Sequence, residues 1–380
     1  MYDLVIRAGN AQCPYTLQSG PLYIGVSGGC IASISRECPG EGRTTLDWRV
    51  GIVTPGFTDF HAHPMTTGSK YGVDPDLYLL PQGTVRVLCQ GDAGARNWTL
   101  FRDETVGPSK CRVHLALNLS RSGESHLGPT FEQLEWADVA ECVSAVEEIR
   151  RDGCVELWGL AVNTSRASCG DTDPRAVLER ALLAADATAL PLLVGMRRSH
   201  DWSYEDQIAA LRPGDVATYC FSPGDEGIVV SGRVRRGARD ARDRGVLFDL
   251  GHGAGSFSFD IAECAVGEGF LPDTLSTDFY RAHTNRQPPH GLPSVISAMA
   301  CLGVPMSEIL DRVTRRPDRL LRGAAAPTAG LRVGAPADLC RLLPSAEPEE
   351  LLDTLSSVRM GIRWRASDVL WAGVPVESRL

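Results

Sequence analysis

From residue 53 onward the chain alternates two hydrophobic rhythms. Short, nearly continuous apolar runs fall at 52–60, 84–90, 112–119, 155–162, 190–196, 215–221, 246–251 and 273–278. Between most of them lie longer segments whose apolar positions recur every three or four residues: Phe131 to Arg151, Pro174 to Asp186, Tyr204 to Leu211, Val234 to Arg244 and Asp260 to Gly269. Strand-like runs alternating with amphipathic helices predict a parallel α/β architecture, and eight such units predict a (β/α)8 TIM barrel. The ends have another rhythm. Asp3 to Ala8, Leu22 to Val26 and Ile31 to Ser35 read as short strands between glycine-rich turns, and the chain turns β-rich again after Leu331, ending with a strand at Ser367 to Trp371. This predicts a small β-sandwich domain made from residues 1–52 and 333–380, flanking a barrel over 53–332.

Composition narrows the function classes. A chain of 380 residues has room for one barrel and a smaller unit. With 43% hydrophobic and 22% charged residues it has a globular balance, and a net charge of −9 argues against a general nucleic-acid binder. The start, Met1-Tyr2-Asp3-Leu4-Val5-Ile6-Arg7, has no basic region followed by an apolar core, and no apolar run is long enough to cross a bilayer. These features predict a cytoplasmic protein with no membrane partner. The 12 cysteines are scattered without a CxxC pair, which favours buried thiols over a zinc ribbon or a disulfide framework.

Candidate chemistry centres on His61 and His63, in Val53-Thr54-Pro55-Gly56-Phe57-Thr58-Asp59-Phe60-His61-Ala62-His63-Pro64. Residues two apart on a strand share a face, so both imidazoles project together where an apolar strand ends. Barrel chemistry sits at the C-terminal strand ends, which here also carry Asp92, Asn118, Asn163, Tyr219, His252 and Asp278. Closing the barrel sets the first strand beside the eighth, so His61, His63 and Asp278 should meet. Two histidines and an aspartate suffice for one catalytic zinc with an open position. His252 lies in a glycine-flanked loop that could present backbone N–H groups to a ligand, while His283 and His290 read as solvated groups of a loop after strand eight. Among the arginines after barrel strands, Arg102, Arg197 and Arg281 are the leading candidates to hold a carboxylate by paired hydrogen bonds, which points to a small anionic substrate. A homo-oligomer is compatible with everything above.

The residues just named carry a resemblance. Thr54-Pro55-Gly56-Phe57-Thr58-Asp59-Phe60-His61-Ala62-His63, Asp92-Ala93-Gly94-Ala95, Phe248-Asp249-Leu250-Gly251-His252-Gly253-Ala254-Gly255-Ser256, Pro272-Asp273-Thr274-Leu275-Ser276-Thr277-Asp278 and Gly334-Ala335-Pro336-Ala337-Asp338-Leu339 resemble the amidohydrolase superfamily, and more closely its dihydroorotase-like amidohydrolase/deacetylase branch. The resemblance implies two metals, held by the HxH pair, a carboxylated lysine on strand four, a histidine on each of strands five and six, and the strand-eight aspartate. This chain departs from that set: Ala161, Gly195 and Tyr219 stand at the lysine and the two histidine positions. The chain's lysines are Lys70 and Lys110, neither of them in strand four. The expectation is therefore one divalent metal, zinc for preference, and no dinuclear centre. Tyr219 would face substrate through a neutral hydroxyl. Three readings stay open: a mononuclear metallohydrolase acting on an amide, cyclic amide or ester bond; a metal-independent lactonase- or cyclase-type enzyme using the same His/His/Asp set; and a non-catalytic binding protein.

Overall fold

The computed structural model describes residues 1–196, 202–224, 227–323 and 329–377. In chain order the strands are β1 (Tyr2–Cys13), β2 (Gln18–Ser27), β3 (Cys30–Ser35), β4 (Gly42–Trp48), β5 (Ile52–Pro55), β6 (Phe57–Ala62), β7 (Thr84–Gln90), β8 (Arg112–Asn118), β9 (Glu156–Asn163), β10 (Leu192–Gly195), β11 (Val216–Thr218), β12 (Val229–Val230), β13 (Arg233–Val234), β14 (Leu247–Phe248), β15 (Leu339–Pro344), β16 (Glu349–Leu352), β17 (Val358–Gly361), β18 (Trp364–Trp371) and β19 (Val374–Pro375).

Strands from both ends of the chain form one eight-stranded sheet, ordered β19-β18-β15-β5-β1-β2-β3 with β4 also on β1. Its pairings are antiparallel except that β1 runs parallel to β4 and β5. The sheet has its own core, which includes Ile6, Ile24, Trp48, Val53, Leu339 and Leu370. The apolar run expected as one barrel strand over 52–60 is divided at Gly56. Ile52 to Pro55 pairs antiparallel with β15, and only the part from Phe57 enters the barrel. Burial of every residue in both halves hides this break from hydrophobic pattern alone.

The barrel sheet is parallel in the order β14-β11-β10-β9-β8-β7-β6. Its eighth segment is not a ladder strand. Single parallel bridges, Asp249 to Thr274 and Ala62 to Phe279, join residues 274–279 to both neighbours and close the ring. Backbone bonds complete the closure: Asp278 N–H donates to the His61 carbonyl at 2.7 Å, and His63 N–H to the Phe279 carbonyl at 2.9 Å. Asp59 adds a side-chain tie between strands one and eight. Its buried carboxylate accepts from the Thr277 N–H at 3.0 Å, the Thr277 hydroxyl and the His61 N–H at 3.2 Å.

All five expected helices form; those at Pro174 and Tyr204 begin where expected and the other three begin elsewhere. The segment expected from Phe131 becomes a 3-10 turn at Leu134–Trp136 and then a helix at Val139–Asp152, because Asp138 caps the N-terminus by accepting from Glu141 N–H. The others are Pro174–Thr188, Tyr204–Ala209, Arg236–Asp243 and Phe259–Gly267. One C-terminal element reaches the catalytic face. The β16–β17 hairpin rests on the loop after β14: Asp353 accepts from Phe259 N–H at 3.0 Å, and Thr354 exchanges hydrogen bonds with the Phe257 backbone. No helix among the described residues is long and apolar enough to cross a membrane.

Candidate metal centre and its surroundings

Strand alternation brings His61 and His63 to one side of the end of β6, and closure through 274–279 sets Asp278 against them. One ligand atom from each residue lies within 4.8 Å of the other two. Asp278 Oδ1 is 3.4 Å from His61 Nε2 and 3.3 Å from His63 Nε2. All three residues are buried. Asp278 holds a left-handed backbone at φ 47°, a costly conformation for a residue with a side chain. Gly253 makes room for it: a Cβ there would sit 2.5 Å from Asp278 Oδ2.

The other imidazole nitrogens are anchored. His63 Nδ1 donates to Asp92 Oδ1 at 2.9 Å. Asp92 is fixed in turn by the Ser69 hydroxyl at 2.6 Å and the Met65 N–H at 3.3 Å. His61 Nδ1 lies 2.9 Å from the Thr218 hydroxyl and 3.3 Å from Asp249. Asp249 also accepts from the hydroxyls of Thr218, Thr274 and Ser276 at 2.6–2.8 Å. A carboxylate on Nδ1 directs the Nε2 lone pair forward, which is how metal-binding histidines are commonly held.

The donor set fits a metal. His61 Nε2 is buried with no hydrogen-bond partner, a costly arrangement unless a ligand takes its lone pair. Burial alone would raise the Asp278 pKa, but His61 and His63 outweigh it and hold the carboxyl below its ordinary value. Burial opposes protonation of His63, yet Asp92 and Asp278 together lift its pKa to about 10. A positive charge is strongly favoured at this point, and a divalent ion would supply it.

Beside His61 the chain packs closely around Gly195. A Cβ on Gly195 would lie 2.8 Å from the Tyr219 ring and 2.9 Å from Asn163 Cγ. The Tyr219 ring, at φ 67°, tilts against His61 at 5.2 Å. Ala161, at the lysine position, is buried in a small apolar cluster with Phe60, Leu88 and Leu193.

Other expected site residues divide. Tyr219 is at the centre. Arg281 is at the rim, its N–H bonded to the Tyr71 carbonyl at 2.8 Å and its guanidinium 3.5 Å from the Gly72 carbonyl, with no ion pair among the described residues. Arg102 is a correction: its guanidinium is held by Asp103 and Asp152, each at 2.7 Å, over the Trp98 ring and is not offered to the site. Asn118 is another correction. Its amide donates to the Gly91 carbonyl and accepts from Ser120 N–H, both at 2.8 Å, so it braces a strand end. His252 spends Nδ1 on the Gly253 carbonyl at 2.9 Å and stacks on Phe257, and burial drops its pKa to about 4. It supports the loop beside Asp278. Arg197 lies outside the described residues. His283 and His290, expected as solvated, are 2% and 4% exposed and pack ring to ring at 4.3 Å.

Further residues gather at the centre. Tyr71 and Tyr280 flank His63 at 5.1 and 6.1 Å between ring centres. Lys70 is bound to Glu124 at 3.0 Å and lies over the Tyr71 ring. Asp92 was visible as a strand end, but its pairing with His63 was not.

No protein-family model matches the chain. A deacetylase of Enterococcus faecalis is 27% identical over 365 residues, covering 94% of each chain. A deacetylase of Agrobacterium fabrum is 27% identical over 279 residues, 73% of this chain and 67% of that one. The crystal structure of an adenine deaminase superposes over 100% of both chains with a TM-score of 0.86 at 26% identity. The chain belongs to the amidohydrolase superfamily. This amidohydrolase also shares the fold of a dihydroorotase, at TM-score 0.85 and 22% identity over 99% of this chain and 97% of that one. It is a hydrolase of that superfamily, whose members with these names act on C–N bonds.

Proposed function

We propose that this amidohydrolase is a mononuclear metallohydrolase that cleaves the amide bond of a small N-acyl substrate bearing a carboxylate. The observation that carries the reading is the orphaned, buried Nε2 of His61, converging with His63 and Asp278 while both Nδ1 atoms are anchored. A barrel retained only for binding has no use for such a set.

His61, His63 and Asp278 would hold the ion. A divalent metal there supplies Lewis acidity, which lowers the pKa of a water or polarises a carbonyl. Asp278, ionised at neutral pH, takes the proton of the attacking water and passes it to the leaving nitrogen. Asp92 and Asp249 keep the two imidazoles in one tautomer and orientation. Arg281 offers a guanidinium at the rim for the substrate carboxylate. Tyr219 and Asn163, packed into the space beside Gly195, support a count of one metal. The two relatives called deacetylases favour an acetyl group over a ring as the acyl portion.

The test is zinc-loaded protein assayed on N-acetyl amino acids, cyclic imides and lactones, with and without chelation. Hydrolysis of an N-acetyl amino acid that is lost on chelation and regained with zinc is expected. Full activity after metal removal would instead favour direct acid–base use of the same three residues.

A further inference from the structure

We propose that His283 is a further catalytic residue, whose Nε2–H donates a hydrogen bond to the scissile carbonyl oxygen as negative charge develops there. The inference rests on the hydrolase reading above and adds a group that reading leaves unassigned.

The tautomer is set by the backbone. His283 Nδ1 accepts the N–H of Tyr280 at 3.2 Å, so the proton of the neutral ring is on Nε2. That nitrogen is buried and makes no hydrogen bond. The nearest backbone acceptor, the Gly253 carbonyl, also receives His252 Nδ1 at 2.9 Å and is near enough to favour the charged form of the His283 ring, but it does not complete a hydrogen bond of normal geometry with Nε2. The other histidines of the cluster are spent: His252 on Gly253, and His290 Nε2 on the Thr277 carbonyl at 2.9 Å. His283 alone among these three keeps a donor in reserve. Its ring cannot swing freely, being packed by Tyr280 at 4.5 Å, His290 at 4.3 Å and Phe279 at 5.5 Å. Tyr280 packs against both this ring, at 4.5 Å, and the His63 ring, at 6.1 Å, so His283 stands one ring away from the ligand set. An oriented donor left unpaired beside the reacting groups is the arrangement that stabilises an oxyanion.

The chemistry gives such a group a use. Two-metal sites can stabilise both the attacking and the departing oxygen, whereas the described residues here converge on a single ligand set. A donor from the chain can then share the charge that a single ion would otherwise meet alone. Water oxygen bonds to the acyl carbon while the C=O π pair moves onto the carbonyl oxygen, held by His283 Nε2–H, and the water proton goes to Asp278. The pair returns, the C–N bond breaks, and the nitrogen leaves with the proton from Asp278. His283 keeps its own proton throughout.

The experiment compares the zinc-loaded parent with His283→Ala and His283→Gln on an N-acetyl amino acid, and reads the His283 tautomer by 15N NMR in the zinc-loaded parent. Removing one oxyanion donor should lower kcat by about 100- to 1000-fold. KM should change little and zinc content not at all, and Gln, which restores an N–H donor, should recover part of the loss. NMR should find the proton on Nε2 at neutral pH. A kcat equal to the parent's in the alanine variant, a loss confined to KM, or a proton on Nδ1 would each overturn the assignment while leaving the hydrolase reading intact. A zinc-loaded parent that hydrolyses nothing would sink that reading and this role with it. If the alanine variant fails to fold, the glutamine variant and the tautomer decide.

Discussion

Asp92 accepts the Nδ1 proton of His63 at 2.9 Å, joining the ends of the first two barrel strands. Asp92 is itself held by Ser69 and Met65, so removing it frees the imidazole to turn and also leaves those two donors without their acceptor. Carboxylates in this position typically contribute 10- to 100-fold to metal affinity. Asp92→Ala should weaken zinc binding by about that factor, measured by competition with a chromophoric chelator, while the barrel stays folded.

Gly253 tests the packing around Asp278. Its φ of 52° disfavours a side chain, and a Cβ would press 2.5 Å from the Asp278 carboxylate. Gly253→Ala should cost about 1–3 kcal/mol of stability. It should also reduce metal retention, because the displaced oxygen is on the ligand itself. Denaturant unfolding and metal analysis of the same sample would check both effects.

The packing of Tyr219 over Gly195 makes a coupling prediction. Gly195→Ala should destabilise by about 1–3 kcal/mol through overpacking. In the background of Tyr219→Ala, where the ring is gone, the cost should fall to what the Asn163 contact at 2.9 Å still imposes. A double-mutant cycle measures the interaction directly. Additive effects would mean that the ring is not what fills the space.

Much of this was legible in the sequence because it depends on local period or chain order. The HxH pair follows from strand alternation, and its meeting with Asp278 follows from first and eighth strands being neighbours in a closed barrel. What the pattern could not carry depends on distant partners. The run 52–60 is apolar throughout, and only its pairing with Leu339–Pro344 reveals that it changes sheets at Gly56. Asp249 and Thr218 become a bracket for His61 only when separate strands come together. His283 and His290 sit in a polar stretch, yet their rings are buried against Phe279. Arg102 follows a barrel strand as Arg281 does, but acidic neighbours at 103 and 152 hold its charge.

That contrast between arginines is testable. Arg281→Ala should weaken transition-state binding of a carboxylate substrate by about 10- to 150-fold, the value of a charged hydrogen bond of about 1.5–3 kcal/mol. It should have little effect on the corresponding neutral amide. Arg102→Ala should leave both rates unchanged. The kcat/KM ratio for the two substrates, compared among parent and variants, is the readout.

The central claim is a single metal held by His61, His63 and Asp278 in a working hydrolase. Its most direct test is the zinc content, per chain, of protein dialysed to constant hydrolytic activity. One equivalent is predicted, falling to none in His61→Ala together with the loss of turnover. Two equivalents, or none with activity retained, would contradict the account.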